Sequence, residues 1–332
     1  MEKSTRPAAL DQRPHPDDQH GAAVPGANGT TSVAPPAQAS TGILVRLDGT
    51  VADRTQPELR ADDLAALRGD GVFEALLVAD GRPVHLDAHL DRLARSAAAL
   101  GLRAPDRADW RRSLAVGIAH HGTVGESYAR LVLTRGPEGG DRESAYVLID
   151  AVPDSTLRAR RDGVRALTLT RGTVVAPPER APWLLNGAKT LSYAVNMAAQ
   201  RWAREHEADE AIFLAEDGTV LEAPTAAVLL LTGGRLLSPT PELGILPSIT
   251  LQALFAAASE AGWECEFARL SVGELRAAEG VWLLSSVRLG ARVRSLDGVP
   301  CPPSRYDAQI AALVRALPAG AAAGGTGGGS SA

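Results

Sequence analysis

Lys189 offers the most definite chemistry in the chain. It follows the small, flexible Asn186-Gly187-Ala188 and precedes Thr190 to Glu205, where Leu191, Val195, Ala199 and Trp202 recur at helical spacing and predict a helix with one apolar face. A lysine at a helix start lies at the positive end of the macrodipole, so burial there would depress its pKa. The uncharged amine is the nucleophile that forms a Schiff base, and pyridoxal phosphate is the usual carbonyl partner for it. On position alone, the ordinary reading of a solvated lysine stays open.

Other residues could supply what that cofactor needs. Its pyridine ring draws electrons only while the ring nitrogen is protonated, which calls for a carboxylate such as Glu222 at the end of Thr219-Val220-Leu221-Glu222. Its phosphate needs cations and amide donors. Arg92 has the fork geometry, and the Ile249 and Thr250 amides open a helix that Ser248 is placed to cap. Each has a plainer reading: a strand-end charge, a helix-face ion pair and a simple cap. Other chemistries lack their residues, since the chain has no P-loop, no H-E-x-x-H and no G-x-S-x-G. The seven histidines are scattered, and the adjacent His120-His121 cannot share a helical face, so no metal site is assigned.

The elements that must position these groups follow from pattern. Ile43 to Val45 and Gly71 to Val78 read as strands, the second ending at the Asp80-Gly81 turn. Leu86, Leu90, Leu93, Ala97 and Leu100 form a helical stripe beside Arg92. Tyr128 to Thr134 and Ala145 to Ala151 are strands joined by the loop Arg135 to Glu143, and Val164 to Thr170 is a strand followed by a Pro-rich connector, Pro177 to Pro182. Glu210 to Leu214 and Thr219 to Glu222 flank a hairpin turn at Asp217-Gly218, and Val228 to Leu231 is a further strand. This is an α/β (α+β) pattern. Residues 1–40 hold almost no large apolar side chains and are read as a disordered tail, and residues 319–332, a run mostly of Ala, Gly and Ser, as a low-complexity tail. The division between halves falls near residue 160, giving an N-terminal α/β domain over 41–160 and a C-terminal one over 161–318.

Composition narrows the partners. With 332 residues, 45% hydrophobic, and 34 basic against 39 acidic side chains, the chain carries a net charge of −5 and no general field for nucleic acid or anionic membrane. Its apolar runs fall far short of the roughly 20 residues of a membrane helix. Cys265 and Cys301 are the only cysteines, without C-x-x-C spacing, which suits a reducing cytoplasm.

Several ordered motifs then carry a resemblance. Arg68-Gly69-Asp70-Gly71-Val72-Phe73-Glu74, His89-Leu90-Asp91-Arg92-Leu93, Ala188-Lys189-Thr190-Leu191, Asp209 to Leu214, Leu221 to Thr225 and Leu243 to Thr250 resemble the class IV aminotransferase family of fold type IV pyridoxal-phosphate enzymes. Lys189 to Met197 and Arg135-Gly136 look most like actinobacterial aminodeoxychorismate lyases. The resemblance implies a smaller N-terminal and a larger C-terminal α/β domain, with pyridoxal 5'-phosphate in the crevice between them, and a homodimer. It implies Lys189 as the Schiff-base lysine, Glu222 on the ring nitrogen, and Arg92, Ile249, Thr250 and Ser286 toward the phosphate. Arg130 and Arg135 match the region where relatives hold a substrate carboxylate, with an edge-strand ion pair as the other reading of Arg130. The activity implied is 4-amino-4-deoxychorismate lyase, giving 4-aminobenzoate and pyruvate for folate biosynthesis. The alternatives are an aminotransferase of branched-chain or D-amino acids, or a non-enzymatic protein that has kept the fold. The chain departs from the family at Ala226-Ala227, where a polar residue and Asn are usual, at Ser248 for Gly, at Leu251 for Arg and at Ala75 for Thr.

Overall fold

In the first half of the chain, a sheet whose long strands are mostly buried and two helices close one core. β1 (Ile43–Arg46), β2 (Val51–Ala52), β3 (Gly71–Ala79), β4 (Arg82–Pro83), β5 (Glu126–Thr134) and β6 (Ser144–Ala151) form a sheet in the order β2-β1-β6-β5-β3-β4, every pair antiparallel. These elements come from a computed structural model that describes residues 42–172 and 180–323. The hairpin expected at Asp80-Gly81 forms, with φ of 47° and 72° at the two turn residues. After α1 (Leu64–Arg68), the stripe on α2 (Leu86–Ala99) buries Leu90, Leu93 and Ala97, while α3 (Arg107–His121) adds Trp110, Leu114 and Ile118. Both pack on Leu76, Leu131 and Ile149 of the sheet. Each such leucine or isoleucine contributes about 1.5–3 kcal/mol of burial.

The second half builds a mixed sheet covered on both faces. After α4 (Asp154–Asp162) come β7 (Val164–Thr170), α5 (Ala194–Glu205), β8 (Glu210–Leu214), β9 (Ala227–Thr232), β10 (Arg235–Pro239), α6 (Ile249–Glu260), β11 (Glu264–Ala268), α7 (Val272–Ala277), β12 (Gly280–Ser285), β13 (Leu289–Leu296), β14 (Val299–Pro300) and α8 (Asp307–Ala323). The strand order is β11-β10-β9-β12-β13-β7-β8, with β14 paired to β13. The pairs β10/β11, β13/β7 and β7/β8 are parallel. The unbroken apolar run of β9 follows from this burial. Leu229 and Leu231 face α6 and α8 through Leu251, Leu254, Ile310 and Val314, whereas Val228 and Leu230 join Val281, Leu283 and Val293 on the opposite face.

Three expectations are revised. The helix expected from Thr190 begins at Ala194, because residues 190 and 191 instead pair with β3. Its buried face is Ala199, Gln200 and Ala203, about 100° of rotation from Val195 and Trp202, which are exposed. Thr219 to Glu222 is no strand of the sheet; it is held to β8 by backbone bonds from Leu221 N to Phe213 O (2.9 Å) and from Phe213 N to Glu222 O (2.8 Å). Finally, α8 continues past Leu317 to Ala323 in spite of Pro318 and Gly320, carried by the alanines around them, so residues 319–323 of the expected tail are helical. Residues 1–40, 324–332 and 177–179 of the connector lie outside the described residues. The two sheets draw on residues 43–151 and 164–300, and a division at 160/161 falls inside α4.

Candidate active site

Lys189 reaches its position through backbone pairing with β3. Its carbonyl accepts from Phe73 N (3.1 Å), its N–H donates to Ser96 Oγ (3.1 Å), and Leu191 N donates to Gly71 O (2.8 Å). Gly71 permits this approach, since a Cβ there would stand 2.7 Å from both Leu133 O and Leu191 Cδ1. α5 begins at Ala194 with Tyr193 as its N-cap residue, so Lys189 precedes the helix rather than opening it. Its Nζ donates to Tyr193 Oη (3.0 Å) and lies 4.3 Å from the Phe73 ring centroid and 5.2 Å from that of Tyr193. The two rings meet edge to face at 5.1 Å, which fixes the cradle.

Glu222 stands at the end of the segment clamped to β8. Its Oε1 lies 3.4 Å from Arg171 Nη1, and its Oε2 accepts from Leu246 N (3.2 Å). Burial pushes its carboxyl above the ordinary range, opposed chiefly by Arg171 and the Leu246 amide. Arg171 follows β7 and stacks on Phe213 at 5.3 Å. A strongly desolvated acid with a cationic neighbour is a frequent mark of a functional cleft.

The third group surrounds Arg92. The side chain is buried and bonds Glu74 twice, from Nε to Oε1 (2.6 Å) and from Nη2 to Oε2 (2.8 Å), while Nη1 donates to Pro247 O (2.9 Å). Ser248 caps α6 as expected, its Oγ accepting from Leu251 N (3.2 Å), and the amides of Ile249 and Thr250 belong to the first turn, which has no intrahelical acceptor for them. Thr250 Oγ1 bonds Ser286 Oγ (3.3 Å).

One cavity of about 590 Å³ is lined by Phe73, Arg92, Arg130, Lys189, Glu222 and Ser286 among others. Most of the expected residues therefore meet. Ser248 reaches the wall, while Ile249 and Thr250 lie behind it. Arg130 lines the cavity, bonded to Tyr128 Oη (2.6 Å) and stacked on that ring at 5.0 Å, with no carboxylate partner among the described residues. Arg135 does not reach it. Its guanidinium pairs with Asp70 (2.6 and 3.2 Å) and donates to Leu100 O (2.6 Å), because the chain turns away from the cavity at the end of β5. The departures Ala75, Ala226 and Ala227 form apolar wall, and Leu251 is core beneath α8.

Sequence reasoning missed Glu74, His89, Arg171 and Tyr193. Glu74 had a signal, a lone carboxylate in an apolar strand. Tyr193 falls in the stretch expected to be helical from Thr190, and in fact stands in the segment before α5. Arg171 had none. An aldehyde for Lys189, a basic ring nitrogen for Glu222 and a phosphate for Arg92, Ser286 and the α6 amides all suit this donor set, so pyridoxal 5'-phosphate fits the residues present.

Comparisons with known proteins agree with that fit. The family model for amino-transferase class IV matches residues 71–296. A Mycobacterium tuberculosis protein named bifunctional aminodeoxychorismate lyase / D-amino acid transaminase is 44% identical over 283 residues, covering 82% of this chain and 98% of its own. Among solved structures, the PLP-bound form of a hypothetical aminotransferase from Mycobacterium tuberculosis superposes with a TM-score of 0.81 at 44% identity, over 84% of this chain and 99% of that one. A fold IV transaminase from Curtobacterium pusillum gives 0.81 at 40% identity, over 86% and 100%.

Proposed function

Because this chain belongs to the class IV aminotransferase family and is a pyridoxal 5'-phosphate enzyme, we propose that it is a 4-amino-4-deoxychorismate lyase, releasing 4-aminobenzoate and pyruvate for folate biosynthesis. The observation that carries this reading is a single cavity holding Lys189, Glu222 and an Arg130 that has no acidic partner among the described residues. The lyase name of the relative at 44% identity supports it.

When bound, the cofactor supplies an aldehyde for amines and a ring that accepts the electrons left by a departing proton. The residues of the chain do the rest. Arg130 holds a substrate carboxylate, and the alanine wall at 75, 226 and 227 lies against the ring carbons of the substrate. Lys189 Nζ takes the proton from the substrate ring carbon that bears nitrogen; the C–H electrons form the new ring double bond as the enolpyruvyl oxygen leaves the adjacent ring carbon with its bonding pair, and the same amine returns the proton to the enol carbon to give pyruvate. Tyr193 Oη, 3.0 Å from Nζ, keeps the amine aimed between these atoms. Glu222, ionised, holds the ring nitrogen, with Arg171 and the Leu246 amide holding Glu222 in turn.

A second reading, D-amino acid transaminase, has one specific observation in its favour: the same relative bears both names. Incubation with aminodeoxychorismate and no amino acceptor tests the pair. Pyruvate and 4-aminobenzoate in equal amounts support the lyase. A protein inert to this substrate but moving nitrogen from a D-amino acid to a 2-oxo acid would replace it.

We also read the protein as a cytoplasmic homodimer. Exposed Trp183, Leu184, Val195 and Trp202 support a covered face, and sedimentation velocity reads the state directly. Among the described residues no helix is long and apolar enough to cross a membrane.

A further inference from the structure

We propose that Glu74, with His89 behind it, is the positioning residue that locks Arg92 for the cofactor phosphate, so that Arg92 contributes geometry rather than net charge. The inference rests on the reading of Arg92 as a phosphate ligand and extends it to two residues that the phosphate does not touch.

Glu74 lies in the middle of β3 and is fully buried. Its two oxygens take the side edge of the Arg92 guanidinium, Nε at 2.6 Å and Nη2 at 2.8 Å. The backbone carbonyl of Pro247 takes a hydrogen of Nη1 at 2.9 Å. A guanidinium has five N–H groups, so one hydrogen on each terminal nitrogen is left. Arg92 lines the cavity, so these remaining hydrogens are the ones left for a ligand there. His89 Nδ1 stands 2.7 Å from Glu74 Oε2. The acceptor is a carboxylate, so that nitrogen carries the hydrogen, and the bond holds the Glu74 plane in register with the arginine. The fork is thus fixed from both sides before any ligand arrives, and no rotamer freedom remains to be lost on binding.

The charges lead to the same conclusion. Glu74 is ionised beside Arg92, so the pair presents no net charge to a phosphate dianion. The favourable potential must then come from the first turn of α6, where Ile249 and Thr250 carry unpaired amides beside the Pro247 carbonyl that Arg92 grips. A lysine at 92 would keep the charge but could not fill two Glu74 oxygens, the Pro247 carbonyl and the phosphate in one plane.

The test is the dissociation constant of pyridoxal 5'-phosphate from the full chain, freed of cofactor and titrated by quenching of tryptophan fluorescence. Arg92→Met and Glu74→Gln are each expected to weaken binding about tenfold or more. The double variant should bind no more weakly than Arg92→Met alone, because Glu74 acts only through Arg92. Arg92→Lys should be as weak as Arg92→Met. Glu74→Gln leaves a buried arginine partly unpaired; if it does not fold, His89→Phe keeps the ion pair, and it should weaken binding by a smaller factor that vanishes in the Arg92→Met background. Additive losses in the double variant, or Glu74→Gln (or His89→Phe in its place) binding like the parent while Arg92→Met does not, overturn this inference alone. Parent-like binding by Arg92→Met overturns the phosphate reading along with it.

Discussion

Replacing Arg171 by methionine removes the cation beside Glu222 without touching the substrate end of the cavity. Opposite unit charges 3.4 Å apart attract by about 5 kcal/mol at an effective dielectric near 20. Arg171 is one-third exposed, so water and salt reduce this to roughly 1–2 kcal/mol. Burial already raises the Glu222 carboxyl, and Arg171 is the chief opposing influence, so the variant raises it further. Glu222 serves in its ionised form, so activity is present above its pKa and is lost as the pH falls through it. The acid limb of the kcat profile for pyruvate release therefore moves to higher pH, with about a tenfold loss on that limb and recovery toward parental rates in alkali. Spectra confirming a full complement of cofactor accompany the assay. An acid limb that stays in place in a folded, cofactor-replete variant would refute the coupling between Arg171 and Glu222.

Other outcomes follow from the same geometry. Arg130→Met should raise KM for the lyase substrate about tenfold to a hundredfold, whereas Arg135→Met should leave KM unchanged and lower stability by about 1 kcal/mol; steady-state kinetics and thermal melts separate the two. Burial alone would raise the Glu74 pKa, yet bonds from Arg92 and His89 hold it at about 2, below the unfolded value of 4.5, so its stabilisation is present above 4.5 and disappears as the pH falls toward 2. Unfolding free energies from urea melts of parent and Glu74→Gln should therefore converge by about 3 kcal/mol over that window. Leu230→Ala, at a fully buried position of β9, should cost about 2–5 kcal/mol in the same denaturation assay.

What could be read from the sequence was whatever leaves a local trace. The run at β9 is continuously apolar and the stripe on α2 is periodic, so their burial was legible, and Ser248 declared a cap by residue type. The helical spacing of Leu191 with Val195 was misleading. Periodicity says which side chains share a face, but not that Gly71 leaves room for residues 190 and 191 to join β3 first. Arg135 illustrates the same limit in the site. A cation after a strand can turn toward a cavity or toward Asp70, and only the third dimension decides. Arg171 and Glu222 are 51 residues apart, and nothing local in either segment announces their pairing.

The site is therefore a property of the two sheets together rather than of any element. Arg92 and Phe73 come from the first half, Glu222 and Ser286 from the second, and Lys189 belongs by sequence to the second but is held by the backbone of β3 in the first. Bonds cross between the halves at each end: Arg92 to Pro247 O near α6, and Arg160 of α4 to Glu126 on β5 and to the carbonyls of Val287 and Arg288. Those crossings fix the loop that carries Ser286 to the same frame that carries Lys189. A lysine aimed by one sheet and an acid buried by another can share one ligand only while the sheets keep their register to within a fraction of an ångström. This accounts for the charged pair buried at Glu74 and Arg92, and for the buried Glu210 being paired with the half-buried Arg288, even though apolar residues of similar volume would stabilise the core as well.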